Sequence, residues 1–300
     1  MVSAVDDPQR IAHAYRTCLA LARAHYENFP VASWLVPADM RPHVAAVYAF
    51  ARIADDYADE GAVEAAERRA RLDAWRARAE AAAEGRDASD GPHPDVFIAL
   101  AHSMRERRLP VTLFTDLVSA FAQDTQTTRY QTWADVHDYC RRSANPVGRL
   151  VLRIAGVHDA RADAMSDAVC TALQLANFWQ DLAIDWARGR LYIPLAVAAR
   201  HDADVSTLDP GALTPAWQRA LAECVSCTRD LFLEGRGVTD VVTGRLRHEL
   251  RLTWLGGMRV LERLDRQARA TRHERPALGA RDAIVIGARW MTWSAGRGRS

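Results

Sequence analysis

The segment from 162 to 186 constrains the fold more than any other, because its polar residues form a narrow strip on an otherwise apolar helix. At about 100° per residue, four polar side chains fall within about 80° of one another: Gln174, Asn177, Asp181 and Asp185. Apolar side chains cover most of the remaining circumference: Leu173, Leu175, Phe178, Trp179, Leu182 and Ile184. A surface helix would carry a broad polar face, so this pattern predicts a buried helix whose strip lines a cavity. Carboxylates in such a place are costly without a cation.

An earlier segment repeats the pattern, and we call it the first acidic strip and the 174–185 set the second. Its members span an arc of about 100° beside apolar residues: Tyr48, Arg52, Asp55, Asp56 and Asp59. Carboxylates four residues apart on a helix repel by about 0.2–0.5 kcal/mol, so each strip needs an arginine or a metal ion. Oxygen ligands of this kind favour Mg²⁺, which bridges carboxylates to substrate phosphates. The alternative, in which the acids pair with Arg52, Arg188 and their neighbours on a solvated face, stays open.

The rest of the chain predicts an all-α fold. Strand signals are scarce, and Ala, Leu and Arg recur at helical spacing, which predicts about ten helices around a central cavity. A length of 300 residues with 49% hydrophobic content fits a single domain over 1–300. Asp39 is the expected N-cap of the second helix. The expected helices are 11–26, 39–60, a third ending near 84, 95–107, 111–124, 133–142, 146–156, 162–186, 215–234, 240–270 and 280–293.

Composition excludes several classes of function. The formal net charge is +1, which provides no field for nucleic acid, and we expect no nucleic-acid partner. All 39 basic residues are Arg, so Schiff-base and P-loop chemistry, which need a lysine, are excluded. The five cysteines, including the Cys224 and Cys227 pair, are odd in number and lie in helical patterns, as in a reducing compartment. A polar start and the lack of an apolar span predict a cytoplasmic protein.

The two strips together indicate a particular chemistry. Mg²⁺ held between facing carboxylate sets would neutralise a departing diphosphate and so promote C–O ionisation, which leaves a carbocation in an apolar cavity. Aromatic faces stabilise such a cation without attacking it, and Tyr48 and Tyr139 are the candidates for this role. Most large aromatic residues in a helical core only pack, which is the alternative for both.

The two acidic motifs resemble those of the squalene and phytoene synthase family. The first runs from Tyr48 to Asp59, and the second runs from Gln174 to Asp185 and continues into Arg188-Gly-Arg190-Leu-Tyr192-Ile-Pro. The resemblance covers about His25 to Pro194 and implies the isoprenoid-synthase fold, Mg²⁺ and a prenyl diphosphate substrate. It implies that diphosphate is bound through Mg²⁺ by Asp55, Asp59, Asn177, Asp181 and Asp185. It also implies that the substrate site is lined by Tyr48, Arg52, Tyr139, Gln174 and Arg190.

Three further features resemble the hydroxysqualene synthases of bacterial hopanoid biosynthesis. His25-Tyr-Glu-Asn28-Phe-Pro-Val stands where relatives carry a serine-rich loop over the diphosphate, and Asn145-Pro-Val-Gly-Arg149 replaces an Ala-Gly-x-Val-Gly pattern. The resemblance implies that His25, Asn28, Asn145 and Arg149 contact substrate, although from spacing alone His25 fits a helix C-terminus and Asn145-Pro146 a turn.

The third feature is that Gln180 and Ile184 replace an Arg and an acid that condensing members carry. This predicts an enzyme that ionises presqualene diphosphate, rearranges the cation and captures water to give hydroxysqualene. The alternative is a condensing synthase that makes presqualene diphosphate, squalene or phytoene. The insoluble product leaves peripheral membrane contact, and contact with neighbouring enzymes of the squalene pathway, as open alternatives.

Two other classes of protein fit the sequence less well. A di-iron carboxylate bundle needs Glu-x-x-His on two helices, and the sequence has none. A helical scaffold without catalysis would show no effect of Mg²⁺ on its stability.

Overall fold

A computed structural model describes residues 7–24, 35–59, 63–267 and 275–293. Within these ranges the chain forms α-helices and no β-strand, apart from one isolated parallel bridge between Arg129 and Leu191. The all-α prediction is confirmed. No helix in the described ranges combines the length and the hydropathy that a membrane span requires.

Fourteen α-helices lie in the described part of the chain, with a 3₁₀ turn at Val205–Thr207. In chain order they are α1 Pro8–Ala24, α2 Arg41–Asp59, α3 Ala65–Ala83, α4 Pro94–Arg107, α5 Val111–Asp124, α6 Trp133–Ser143, α7 Asn145–Ile154, α8 Ala160–Gln180, α9 Leu182–Ala187, α10 Leu195–Arg200, α11 Pro215–Gly235, α12 Val238–Val241, α13 Gly244–Gln267 and α14 Ala280–Met291.

The chain divides into two compact units. One comprises Met1–Gln126 with Pro146–Asp159, and the other comprises Thr127–Asn145 with Ala160–Ser300. The first acidic strip belongs to the first unit and the second strip to the second unit. A single domain over 1–300, and a cavity between facing strips, stay predictions.

The core of the first unit is built around Phe50 of α2. Its ring stacks on Trp75 at 5.5 Å and meets Phe114 edge-on at 5.4 Å, and Trp75 lies 4.5 Å from Phe97. All four rings are buried. These contacts join α2 to α3, α4 and α5, so the face of α2 opposite the first strip is fixed in an aromatic core.

A polar cluster, in which His43 and Ser103 are buried and Tyr15 and His102 are half-buried, holds the N-terminal half of α2 to α1 and α4. The Tyr15 hydroxyl lies 3.1 Å from His43 Nδ1, 2.8 Å from His102 Nδ1 and 2.9 Å from Ser103 Oγ. Burial raises the pKa of Tyr15 to about 12 and, with the nearby Arg107 charge, lowers the pKa of His43 to about 4. Tyr15 and His43 are therefore both uncharged at neutral pH.

The second unit is held by close packing of α8 against α11 and α13. A Cβ on Gly235 of α11 would lie 2.5 Å from the Met165 carbonyl oxygen of α8, so only glycine permits this approach. Trp179 is fully buried, and its indole N–H donates to Thr228 Oγ1 at 2.8 Å, while the Thr228 hydroxyl donates to the Cys224 carbonyl at 2.8 Å. The buried indole is thus satisfied inside the core.

Several predicted boundaries differ from the structure. Asp39 is not the N-cap of α2, which begins at Arg41; its carboxylate instead pairs with Arg107 at 3.2 Å, so a tertiary partner replaces the cap. The predicted helix from 162 to 186 is interrupted at Asp181, between α8 and α9. Aspartate is a weak helix former, and this one is engaged by a distant arginine. The short helices α10 and α12 were not predicted. Gly189, with φ of +77°, follows the C-cap of α9 in the left-handed conformation that commonly ends a helix.

Candidate active site

The first acidic strip lies on the one face of α2 that the core does not cover. Ten residues of α2 are buried, whereas Tyr48, Arg52, Asp55 and Asp56 are half-buried and Asp59 is exposed. The prediction of a narrow polar strip on an apolar helix is confirmed for this element. Three carboxylates and one guanidinium give the strip itself a net charge of −2.

Arg52 binds two of the three acids at once. Its Nη2 lies 2.5 Å from Asp56 Oδ1, and its Nη1 lies 3.4 Å from Asp55 Oδ2. The closer pairing is with Asp56, which was not among the predicted metal ligands. The Arg52 guanidinium thus lies between the two carboxylates, closer to that of Asp56 than to that of Asp55. Arg52 is therefore placed where it could donate to an anion held at Asp55.

The second acidic strip stays on one face despite the break at Asp181. The Asp181 amide donates to the Asn177 carbonyl at 2.8 Å, and the Asp185 amide donates to the Asp181 carbonyl at 2.9 Å. The four-residue spacing is therefore kept across the bend, and the Asp185 carbonyl also accepts from the Arg190 amide at 2.8 Å. The structure thus keeps Asn177, Asp181 and Asp185 on one face, with Gln174 one turn before Asn177 on α8, and it places the Arg190 backbone beside that of Asp185.

Burial along this strip differs from the prediction in one respect. Phe178, Trp179 and Leu182 are buried as expected, but Ile184 is 41% exposed and Asn177 is exposed. The expectation that the whole segment is a buried helix is wrong for its last part. Beyond the break at Asp181, Leu182 is the one buried residue of α9.

Two contacts connect the second strip to the chain before α14. Arg275 Nε donates to Asp181 Oδ1 at 2.5 Å, and Gln180 Nε2 donates to the Pro276 carbonyl at 2.5 Å. Sequence reasoning missed Arg275, because its partner lies 94 residues away and no local pattern marks it. The absence of Arg at position 180 was the available signal that a charge could come from elsewhere.

Tyr139 belongs to a buried aromatic cluster of the second unit. It lies 6.0 Å from Phe178, 6.2 Å from Tyr192 and 5.7 Å from Tyr130, measured between ring centroids. Phe178 and Tyr192 stack at 3.6 Å with nearly parallel rings. Tyr130 and Tyr192 were not predicted as site residues, although Tyr192 stands in the motif that follows the second strip. The role of Tyr139 toward a cation stays a prediction.

Asn145 lies in an open pocket of about 560 Å³ in the second unit. Its Oδ1 accepts from the Thr171 hydroxyl at 2.9 Å, and the pocket also contains His137 and Asp138. Burial lowers the pKa of His137, and the hydrogen bond from Arg141 lowers that of Asp138. The Asn145 amide is therefore fixed at the start of α7 by a buried partner.

Of the other residues predicted to contact substrate, one lies in the first unit and two lie outside the described residues. Arg149 lies on α7 in the first unit and is half-buried. His25 and Asn28 lie outside the described residues.

The donor set of each strip fits Mg²⁺. Each strip offers two carboxylates at four-residue spacing, and the second adds the Asn177 amide oxygen. Within the described ranges, no three side chains of His, Cys, Asp or Glu form a group that could hold a metal ion. Mg²⁺ commonly takes only one or two carboxylates and completes its shell with water and substrate phosphate, so the Asp55/Asp59 and Asp181/Asp185 pairs agree with this mode. Asp55, Asp59, Asn177, Asp181 and Asp185 are the residues that would hold it.

An all-α chain with two such strips has the architecture of the isoprenoid synthases. The solved structure of squalene synthase HpnC from Alicyclobacillus acidocaldarius matches with a TM-score of 0.80 and 39% identity, over 87% of this chain and 97% of that one. A dehydrosqualene synthase structure matches with a TM-score of 0.82 at 19% identity, over 95% of this chain and 98% of that one, a likeness of fold alone. The chain belongs to the squalene/phytoene synthase family, whose sequence profile matches residues 22–282, and it is an enzyme.

Relatives within the family carry several activities. The hydroxysqualene synthase of Sinorhizobium fredii is 34% identical over 75% of this chain and 74% of its own length. That of Rhodopseudomonas palustris is 35% identical over 70% of this chain and 69% of its own length. The phytoene synthase of Thermus thermophilus is 31% identical over 79% of both chains.

Proposed function

We propose that this enzyme is a hydroxysqualene synthase, which converts presqualene diphosphate and water into hydroxysqualene and diphosphate. The observation that carries the proposal is the composition of the second strip, in which Gln180 is bonded to a backbone carbonyl and Ile184 is exposed where condensing members carry charged residues. The hydroxysqualene synthases among its relatives support it, at 34% and 35% identity. A strip with two carboxylates suits the ionisation of one diphosphate.

The residues of the two strips would bind and orient the diphosphate. Mg²⁺, when bound, supplies positive charge that stabilises the leaving diphosphate. Arg52, oriented by Asp56 at 2.5 Å, would donate hydrogen bonds to the same anion. Gln174 and Asn177 carry neutral amides beside the carboxylates of the second strip, so they add hydrogen bonds without adding charge.

The aromatic residues would protect the carbocation after the diphosphate leaves. Loss of diphosphate from the cyclopropylcarbinyl carbon gives a cation that rearranges, and addition of one water with loss of its proton gives the alcohol. The rings of Tyr139 and its buried neighbours contribute π-faces rather than nucleophiles, which lets rearrangement precede capture. Tyr48, half-buried at the start of the first strip, is the second aromatic candidate.

Turnover assays with purified protein and Mg²⁺ test the proposal. We expect presqualene diphosphate to give hydroxysqualene and farnesyl diphosphate to be left largely unchanged. Ready conversion of farnesyl diphosphate, with presqualene diphosphate untouched, would contradict the assignment and identify a condensing synthase.

Substitution of the carboxylates tests the role of the strips. Asp55→Ala and Asp181→Ala should each abolish turnover while the circular dichroism spectrum stays unchanged. The matched controls are Asp73→Ala on α3 and Asp230→Ala on α11, two exposed aspartates outside the strips, which should keep wild-type rates. Retained activity in either strip variant would refute the two-strip mechanism.

We also propose a cytoplasmic enzyme that contacts the membrane peripherally, close to other enzymes of the squalene pathway. A C30 alcohol is insoluble in water, so release into a bilayer would favour product removal. Sedimentation with anionic vesicles tests this contact, and protein that stays in the supernatant at low salt would contradict it.

A further inference from the structure

The solvent-facing side of α14 is apolar. Within the described residues, the two most exposed large apolar side chains are Ile284, which is 73% exposed, and Met291, which is 75% exposed. At about 100° per residue, both fall within an arc of about 140° on which α14 carries no polar side chain. We call this arc the apolar face of α14, and its members are Ala280, Ala283, Ile284, Gly287, Ala288 and Met291. Five of the six are exposed, and a Cβ on Gly287 would meet nothing within 4 Å, so the face is open to solvent.

Polar contacts on the opposite side of the helix fix this orientation. Asp282 is fully buried and accepts from Arg259 Nε at 2.8 Å and from Arg263. Arg289 Nη1 pairs with Glu262 Oε1 of α13 at 2.5 Å. The helix thus buries a carboxylate and exposes two large apolar side chains, which is the reverse of an ordinary surface helix. Turning the apolar face inward would break these ion pairs, one of which is buried, so the face stays exposed until a partner covers it.

The C-terminal part of the chain is strongly basic. Residues 244–300 contain 13 arginines and five acidic residues, a net charge of +8, whereas residues 1–243 carry a net charge of −7. The two nearly cancel in the whole-chain value of +1. On α14, the exposed Arg281 lies about 20° from Ala288 around the helix axis, at the edge of the apolar face. A charge imbalance of this size between two parts of a chain is typical of proteins that bind an anionic surface.

The charge and the apolar character of this face together separate the partners that could cover it. A second copy bound through the same face would bring together two segments of like charge, which repel. Nucleic acid is held by basic and polar contacts to phosphate, and it would leave Ile284 and Met291 exposed to water. An anionic lipid bilayer matches both features, because acyl chains accept the apolar face and lipid phosphates attract the arginines.

We propose that α14 docks this enzyme on an anionic lipid bilayer, with the apolar face among the acyl chains and Arg281 at the lipid phosphates. The helix has 12 residues and lies in the plane of the interface, since it is far too short to span a bilayer. This inference rests on the proposed function, because a C30 alcohol formed at a bilayer can leave the enzyme without crossing water. It assigns the peripheral contact proposed above to one surface of the chain.

Flotation of the purified full chain with lipid vesicles tests the docking surface. The vesicles consist either of phosphatidylcholine alone or of phosphatidylcholine mixed with phosphatidylglycerol. We expect the wild type to float with the mixed vesicles, and Ile284→Glu to bind them at least about tenfold more weakly, because one large apolar side chain no longer inserts. The matched control is Leu233→Glu, at a 53% exposed leucine of α11 outside the apolar face, which should keep wild-type affinity.

Further variants test the charge and the fold. Arg281→Gln should weaken binding to the mixed vesicles by about fivefold, because one positive charge at the anionic surface is lost. Arg16→Gln, at an exposed arginine of α1, is its control and should leave the affinity unchanged. Ile284→Trp should tighten binding, because indoles favour the bilayer interface. The urea midpoint of each variant should stay at the wild-type value, since every substituted side chain is exposed.

Several results would overturn the proposal. They are a wild type that floats with neither kind of vesicle, equal binding to the two kinds, equal losses in Ile284→Glu and Leu233→Glu, and unchanged binding in Ile284→Glu. Sedimentation velocity tests the second copy as the alternative partner. A wild-type dimer that Ile284→Glu dissociates, without vesicle binding, would identify a subunit interface in place of a membrane surface.

The outcome for α14 can be separated from the outcome for the proposed function, because turnover of detergent-dispersed presqualene diphosphate needs no bilayer. Ile284→Glu should keep wild-type turnover in that assay. If the wild type converts presqualene diphosphate but Ile284→Glu binds vesicles normally, the function stands and the docking surface fails. If vesicle binding depends on Ile284 in an enzyme that leaves presqualene diphosphate untouched, the docking surface stands and the assigned reaction fails.

Discussion

Substitution by alanine at two adjacent glycines of α13, Gly256 and Gly257, should change the free energy of unfolding in opposite directions. A Cβ on Gly256 would meet nothing within 4 Å, whereas a Cβ on Gly257 would lie 2.4 Å from Phe232 Cζ and 3.0 Å from Leu173 Cδ2. Phe232 is fully buried, with Trp254 edge-on at 6.3 Å, so its ring has little room to move. Gly256→Ala should therefore gain only helix propensity, and Gly257→Ala should also suffer overpacking.

The magnitudes follow from these two contributions. Replacing a mid-helix glycine by alanine stabilises by about 0.5–1 kcal/mol. Overpacking a closed core costs about 1–3 kcal/mol, and the short contact with a confined ring favours the upper end of that range. We expect Gly256→Ala to stabilise by about 0.5–1 kcal/mol and Gly257→Ala to destabilise by about 1–2 kcal/mol.

Urea unfolding followed by circular dichroism measures the difference, with the two variants and the wild type compared side by side. Leu173 precedes Gln174 of the second strip, so Gly257→Ala should also lower turnover, and Gly256→Ala should not. If the two midpoints shift in the same direction, the close approach of α13 to Phe232 is not a determinant of stability and the reasoning fails.

Three further predictions concern the polar core and the site. Because the folded pKa of His43, about 4, lies below the ordinary 6.5, stability should fall by up to about 3 kcal/mol as pH drops from 6.5 to 4; a His43→Gln variant that shows the same pH dependence of its unfolding free energy would contradict this. Thr228→Val leaves the Trp179 indole N–H without its acceptor and should lower the free energy of unfolding in urea by about 1–3 kcal/mol. Thr112→Val, at an exposed threonine, is the control and should keep wild-type stability. A Thr228→Val variant as stable as the wild type would contradict the prediction. Mg²⁺ and pyrophosphate at 100 times their dissociation constant should add about 2.7 kcal/mol of stability, and a melting temperature insensitive to both would favour a scaffold without catalysis.

Helix positions could be predicted well from the sequence, because many begin at local signals. Pro94 opens α4, Pro110 precedes α5, and Thr132 caps α6 with Asp135 in a reciprocal capping box. Such signals lie within four residues of the boundary they set. The first strip was predictable for the same reason, since all its members share one helix.

Features that depend on distant partners could not be predicted. The contact between Arg275 and Asp181, at the break between α8 and α9, joins residues 94 positions apart, and nothing in the spacing of either segment marks the pairing. Asp39 has the residue type of an N-cap but is bound to Arg107. Ile184 is apolar, yet it is 41% exposed in the helix that follows the break at Asp181. In each case a tertiary contact overrides a local preference.

The polar cluster of Tyr15, His43, His102 and Ser103 bears on how the enzyme binds its substrate. Together with the aromatic core around Phe50, it fixes the N-terminal half of α2, so the three acids of the strip, which lie in the C-terminal half of the same helix, are preorganised before any ligand binds. A ligand that binds at Asp55 then loses little free energy to the ordering of the helix, because the helix is already fixed. Tyr15→Phe removes the hydroxyl at the centre of this cluster. It should therefore lower the affinity of the first strip for the diphosphate, although no residue that touches the diphosphate has changed.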